Sequence, residues 1–96
     1  MKVKINDVVT IKLITGEEII GKLTDMKDNS ITLSKPVQLA ITQKGMGFAP
    51  VCIGIDDASE FTFKNEHILF GAETRPELLD NYIRATTGIQ LASSLS

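Results

Sequence analysis

The chain has 96 residues, 43% of them hydrophobic, with five aromatic residues and no tryptophan. A length near 100 residues makes one domain with a thin core, because so short a chain buries only roughly 60–65% of its unfolded surface. The net charge of −2 gives no overall basic balance to announce nucleic acid, and a single cysteine, Cys52, excludes an internal disulfide framework and fits a reducing compartment.

Charge is unevenly spread. Residues 1–50 carry seven lysines and five acids, residues 51–96 three basic residues and seven acids, so any anion-binding surface is expected on the first half. The N-terminal MKVKINDVV lacks the apolar run of a signal peptide, and no stretch approaches about 18 apolar residues. The expectation is a soluble protein acting in the cytoplasm.

Met1 to Asp7 reads as a short extended arm. Val9, Ile11 and Leu13 then alternate with Thr10 and Lys12, the period of a strand with one buried face. A turn at Thr15-Gly16-Glu17-Glu18 leads to Ile19, Gly21 and Leu23, a second strand. Gly21 lies inside that strand, where a glycine marks a sharp coil or a close backbone approach. A second turn, Lys27-Asp28-Asn29-Ser30, opens the longest alternation, Ile31, Leu33, Lys35, Val37, Leu39 and Ile41. Lys35 breaks its apolar row, and Pro36 beside it predicts a bend or bulge.

Gln43 to Pro50 holds two glycines and a proline and reads as a loop. Its Gly45-Met46-Gly47 lacks the GK[ST] and following helix of a phosphate loop, so Met46 and Phe48 are read as partner contacts or local packing. Val51, Ile53 and Ile55 alternate as a fourth strand that takes Cys52 as a small buried side chain. Asp56 and Asp57 form a solvated turn rather than a cation site, because neighbours on a strand end point apart. Phe61 and Phe63 follow, then a corner at Asn65-Glu66 and a final strand from His67 through Ile68, Leu69 and Phe70 to Ala72. Thr74 and Glu77 have capping-box spacing around Pro76. Leu78, Leu79, Tyr82 and Ile83 form one helical apolar face suited to docking on the open end of a barrel; Gly88 is expected to end the helix, and the tail frays beyond Ala92. No catalytic set emerges: Cys52 and His67 lack a third, orienting group. No metal or cofactor is called for.

At this point the chain resembles the Sm-like family, which includes eukaryotic Sm and LSm proteins and bacterial Hfq. The family's first motif, alternating apolars followed by L-x-x-G-x-x-x-x-G-x-L, is matched by Val9, Ile11, Leu13, Gly16, Gly21 and Leu23. Its second, apolar-Arg-Gly-Asn-x-apolar, is approximated by Phe63-Lys64-Asn65-Glu66-His67-Ile68. The resemblance covers roughly residues 8–71. It implies a mostly β fold, a small five-stranded, strongly bent antiparallel Sm-like (SH3-like) barrel over about residues 8–72. A C-terminal α-helix over about 75–87 and a tail at 92–96 complete one domain of 1–96.

The family departs from this chain where it binds RNA. Met26-Lys27-Asp28-Asn29-Ser30 is about one residue shorter than the family's second turn and lacks its base-stacking aromatic or histidine, while Lys64-Asn65 replaces Arg-Gly. The helix stands at the C-terminal instead of the N-terminal end, which is similar to the compact phage members, such as those of cyanophages; a phage-encoded chain would act in the host-cell cytoplasm. The resemblance implies a homo-oligomeric ring of five to seven subunits, in which the fourth strand of one copy pairs with the fifth of the next. Val51, Ile53, Ile55, Phe61 and Phe63 would meet His67, Ile68, Leu69 and Phe70 there. The sequence adds its own reason: a final strand free of Lys and Pro is an undefended edge that something must cover. The resemblance also implies single-stranded RNA around the pore, on Lys27, Asp28 and Asn29 from the turn and Lys64 and Asn65 from the corner. Two other readings stay open: a ring that docks protein partners through Met46, Phe48 or the helix, and an enzyme, for which Cys52, His67 and the acids are the only candidates.

Overall fold

A computed structural model describes residues 2–56 and 59–95 of the chain, with side chains through residue 87. Six strands run in order: β1 (Val8–Leu13), β2 (Glu18–Met26), β3 (Ser30–Thr42), β4 (Gly45–Pro50), β5 (Glu60–Lys64) and β6 (Ile68–Glu73). A 3-10 turn, Asn65–His67, joins β5 to β6, and α1 (Pro76–Leu95) follows. All pairings are antiparallel, in the order β4-β3-β2-β1-β6, with β5 on the first half of β3. The architecture is the expected bent, mostly β barrel with a C-terminal helix.

β3 makes the bend. It pairs Leu33 and Ser34 with Leu23 and Lys22 of β2, then Val37 and Gln38 with Ile20 and Ile19, so one extra residue of β3 bulges out between the two runs. Lys35 sits at that bulge in the left-handed region, φ 49°, as the Lys35-Pro36 break predicts. Gly21 lies opposite. A Cβ placed there would come within 2.9 Å of Leu33 Cβ and 3.3 Å of the Pro36 Cα. Two strand backbones thus approach where only glycine fits.

The core is built from the alternation. Val9 and Ile11 of β1, Ile19 and Leu23 of β2, and Ile31 and Leu33 of β3 are almost wholly buried on one face. Each contributes about 1.5–3 kcal/mol relative to exposure. Val3 of the arm joins them, and Leu13, Val51, Phe63 and Ile68 pack around the cluster. Asn6 N–H donates to Leu23 O at 2.7 Å, which ties the arm down. Ile20, one residue out of phase, is equally buried but faces the other side with its neighbours Thr10 and Val37. On that outer side Thr74 Oγ1 and Thr10 Oγ1 are hydrogen-bonded at 2.8 Å. Tyr82 of α1, 3% exposed, directs its hydroxyl to Ser34 O (3.1 Å) and Lys35 O (2.8 Å) at the bulge.

Several expectations are corrected. The strands number six, not five, because Gly45–Pro50, read as a loop, is β4. The second half of β3 extends beyond β2's reach and needs a backbone partner; a turn at Gln43-Lys44, with Gly45 at φ 110°, folds the glycine-rich segment back to provide one. Val51, Ile53 and Ile55 lie in turns rather than on a strand, so their alternation does not bury one face: Val51 packs on the core while Ile53 is 96% exposed. Cys52, accordingly, is half-buried in irregular chain. Of the acidic turn, Asp57 lies outside the described residues. His67 belongs to the 3-10 turn and precedes the last strand.

Thr74 does not cap α1. Its hydroxyl is taken by Thr10 and its N–H by Val8 O, and the first helical bond runs from Leu79 N–H to Arg75 O, which places Pro76 at the first helical position. Nor does the helix stop at Gly88: a single interior glycine costs about 1 kcal/mol and does not end a helix that runs on to Leu95. Residues 92–95 are helical, and Ser96 lies outside the described residues. α1 is anchored at the bulge of β3 in its own barrel through Tyr82.

Candidate functional site

The turn after β2 is closed by Lys27 N–H donating to Ser30 O at 2.8 Å. Because β5 pairs with β3 in the register Ser30 opposite Lys64, the corner after β5 arrives beside that turn. Asn65 N–H then donates to Asn29 O at 2.9 Å, and its side-chain Nδ2 points at Asp28 O, 3.4 Å away. The result is a hollow of about 520 Å³ lined by Asp28, Asn29, Ser30, Thr62, Lys64, Asn65 and Glu66.

Four of the five residues expected at an RNA site, Asp28, Asn29, Lys64 and Asn65, therefore meet in one place although they come from distant parts of the chain. Lys27 lines a second hollow of about 440 Å³ on the other side of Asn65, with Met26, Ile68, Leu69 and Phe70 among its neighbours. Its ammonium stands 3.8 Å from the Asp25 carboxylate, both well exposed. Sequence reading missed Glu66, Ser30 and Thr62. Glu66 stood inside the second motif and could have been found there; Ser30 and Thr62 are placed by β3–β5 pairing, which leaves no local signal. Thr62 Oγ1 is hydrogen-bonded to Thr32 Oγ1 at 2.9 Å.

The chemistry of the hollow is polar without an aromatic ring. It offers one ammonium, two carboxylates and two amides, a set that can form hydrogen bonds with a planar edge but cannot stack on it. Among the described residues no group of three or more His, Cys, Asp or Glu side chains could hold a metal ion.

Two strand edges open near the site. Among the described residues β5 pairs only with β3, and β6 only with β1, so each keeps one free edge there. Of the residues expected at a contact between copies, Val51, Phe63 and Ile68 pack on the core and Phe61 is half-buried on β5. Leu69 and Phe70 of β6 are 60% and 67% exposed; Ile53, Ile55 and His67 are exposed but lie off the strands. Leu13, Ile14, Phe63 and His67 line a further, mostly apolar hollow beside β5. On the outer face a broad groove runs between α1 and the β3–β4 hairpin, with Ile41, Met46, Phe70 and Leu78 among its walls and the Lys12–Glu18 ion pair (4.0 Å) beside them. No helix among the described residues is long and apolar enough to cross a membrane.

No protein-family model matches the chain, and no curated protein does. Solved structures do. A heptameric archaeal Sm protein, whose structure was described with its implications for the eukaryotic snRNP core, superposes with a TM-score of 0.52 at 18% identity, over 74% of this chain and 90% of its own. The SmAP1 heptamer of P. aerophilum gives 0.51 at 19% identity, over 74% of this chain and 82% of its own. The barrel of this chain has the Sm fold.

Proposed function

We propose that this chain is an Sm-like ring-forming protein that binds single-stranded RNA weakly, as a module of RNA metabolism or regulation in the cytoplasm. One observation carries the reading: Asn65, bonded to Asn29 O and directed at Asp28 O, joins the turn after β2 to the corner after β5 in a single polar hollow. Asn29 and Asn65 there can read a base edge, and Lys64 can meet phosphate. Without an aromatic platform, which is worth about 1–3 kcal/mol per base, each site is weak. A ring repeats it and multiplies the affinity through avidity.

The free edges of β5 and β6 support assembly. A head-to-tail contact of one copy's β5 with the next copy's β6 covers both and buries Leu69 and Phe70, and the solved Sm neighbours are heptamers. A ring of five to seven copies is expected. The C-terminal position of α1 keeps company with the compact phage members of the family.

The experiment is a fluorescence-anisotropy titration of short U-rich and A-rich RNAs at two salt concentrations, with light scattering for mass. Binding that weakens with salt and drops with Lys64→Ala or Asn29→Ala supports the reading. No binding of these or of guanosine-containing RNAs at tens of micromolar protein, or a monomer at micromolar concentration, defeats it. A second reading, a ring that docks proteins and not RNA, draws on the exposed Ile41 and Met46 of the outer groove. Partner capture that survives high salt and is lost with Met46→Asp would favour it.

A further inference from the structure

The hollow formed by the 27–30 turn and the 64–66 corner has an unequal supply of hydrogen-bond donors and acceptors. Asn65 turns its amide nitrogen toward the Asp28 carbonyl, since its oxygen would be repelled there, and so keeps Oδ1 as its remaining acceptor. The Asp28 and Glu66 carboxylates accept only, and neither forms an ion pair among the described residues. Against these stand the Lys64 ammonium and the Asn29 amide. Two acidic residues against one lysine in the lining make the interior of the hollow poor for phosphate, so a nucleotide enters by its base and leaves its phosphate outside, within reach of the lysine.

Resting on the RNA-binding reading above, we infer that this hollow selects guanine, through a carboxylate that accepts both the N1–H and the N2 amino group of its Watson–Crick edge. The two donors of guanine lie side by side and match the two oxygens of one carboxylate, while O6 is left to Lys64 or Asn29. Uracil presents the opposite pattern: a single N3–H flanked by two carbonyl oxygens, which would be driven against carboxylates. Adenine and cytosine offer an amino group beside a ring acceptor, which allows one bond and opposes the second. With no aromatic in the lining, this edge pairing and not stacking decides which base is held.

The test compares three six-nucleotide RNAs on the full chain, by anisotropy at low salt. One alternates guanosine with uridine, one replaces guanosine with inosine, which lacks only the N2 amino group, and one is all uridine. The guanosine RNA is expected to bind about tenfold or more tighter than the uridine RNA, with inosine between them. Asp28→Asn or Glu66→Gln, both at exposed side chains, is expected to close the gap between guanosine and inosine. Equal or tighter binding of the uridine RNA overturns the inference and leaves RNA binding standing. So does a gap between guanosine and inosine that neither substitution narrows. Failure of all three RNAs to bind overturns both readings together.

Discussion

Replacing Tyr82 with phenylalanine removes one oxygen atom from the link between α1 and the barrel. The bulge at Lys35 takes Ser34 O and Lys35 O to the reach of one buried hydroxyl, 3.1 and 2.8 Å away. The hydroxyl has one proton to share, so the loss is one good hydrogen bond plus buried carbonyl that phenylalanine cannot satisfy. A net bond is worth about 1 kcal/mol and an unsatisfied buried acceptor about 1–3 kcal/mol, so Tyr82→Phe is expected to cost about 1–3 kcal/mol. Urea unfolding followed by far-UV circular dichroism, at one fixed protomer concentration, measures it.

A second signature separates this bond from general loosening. Burial pushes the Tyr82 hydroxyl up to about 12, against a smaller opposing pull from the Lys22 backbone. A group whose folded value is raised stabilises the fold fully below its unfolded value, near 10, and loses that contribution as pH climbs through the folded value. The wild type should therefore lose about 2–3 kcal/mol relative to the phenylalanine variant between roughly pH 10 and 12, with nothing gained or lost between them from pH 6 to 9. Because this is the only tyrosine, the difference between the two proteins isolates it. A variant as stable as the wild type at pH 7, with a parallel alkaline profile, would refute the account of α1 as a hydrogen-bonded clamp on the bulge.

Gly21→Ala is expected to destabilise by about 1–3 kcal/mol, because its methyl would press on Leu33 and the Pro36 backbone; thermal unfolding would show it. Val3→Ala should cost about 1–2 kcal/mol in the same assay, which an arm that merely trailed along the surface would not. Ile41→Asp should leave stability within about 0.5 kcal/mol, since that side chain is 88% exposed, and should raise solubility in a precipitation assay. Asn65→Ala removes the amide aimed at Asp28 O but not the backbone bond to Asn29; it should weaken RNA binding severalfold in anisotropy while unfolding shifts by less than about 1 kcal/mol.

The parts of the fold readable in the sequence are those written in alternation and in backbone exceptions. Val9, Ile11, Leu23, Ile31 and Leu33 announced the core face, and Lys35-Pro36 and Gly21 announced the bend and the close approach opposite it. What the sequence hid depended on pairing. β4 has a composition unsuited to strands and exists because residues 39–42 of β3 run past β2, whereas Val51-Cys52-Ile53 has strand composition and pairs with no strand among the described residues. Thr74 had the letter of a cap but was claimed by Thr10 across the sheet. The site shows the same division: Asp28, Asn29, Lys64 and Asn65 came from motif resemblance, while Thr62 and Ser30 entered through the β3–β5 register, which no local pattern encodes.

The pairing of β6 with β1 joins residues about sixty positions apart, Val9 opposite Glu73 and Leu13 opposite Ile68. During synthesis the ribosome completes β1, β2, β3 and β4, each against its immediate predecessor, while β1 holds its other edge bare. At about 5–20 residues per second that edge waits roughly 3–12 s before β6 is made. In that interval the nascent sheet presents Val9, Ile11 and an unsatisfied ladder to other nascent chains. The order of strands along the chain thus sets a window in which chaperone capture and aggregation compete, and slower translation of residues 50–73 would widen it.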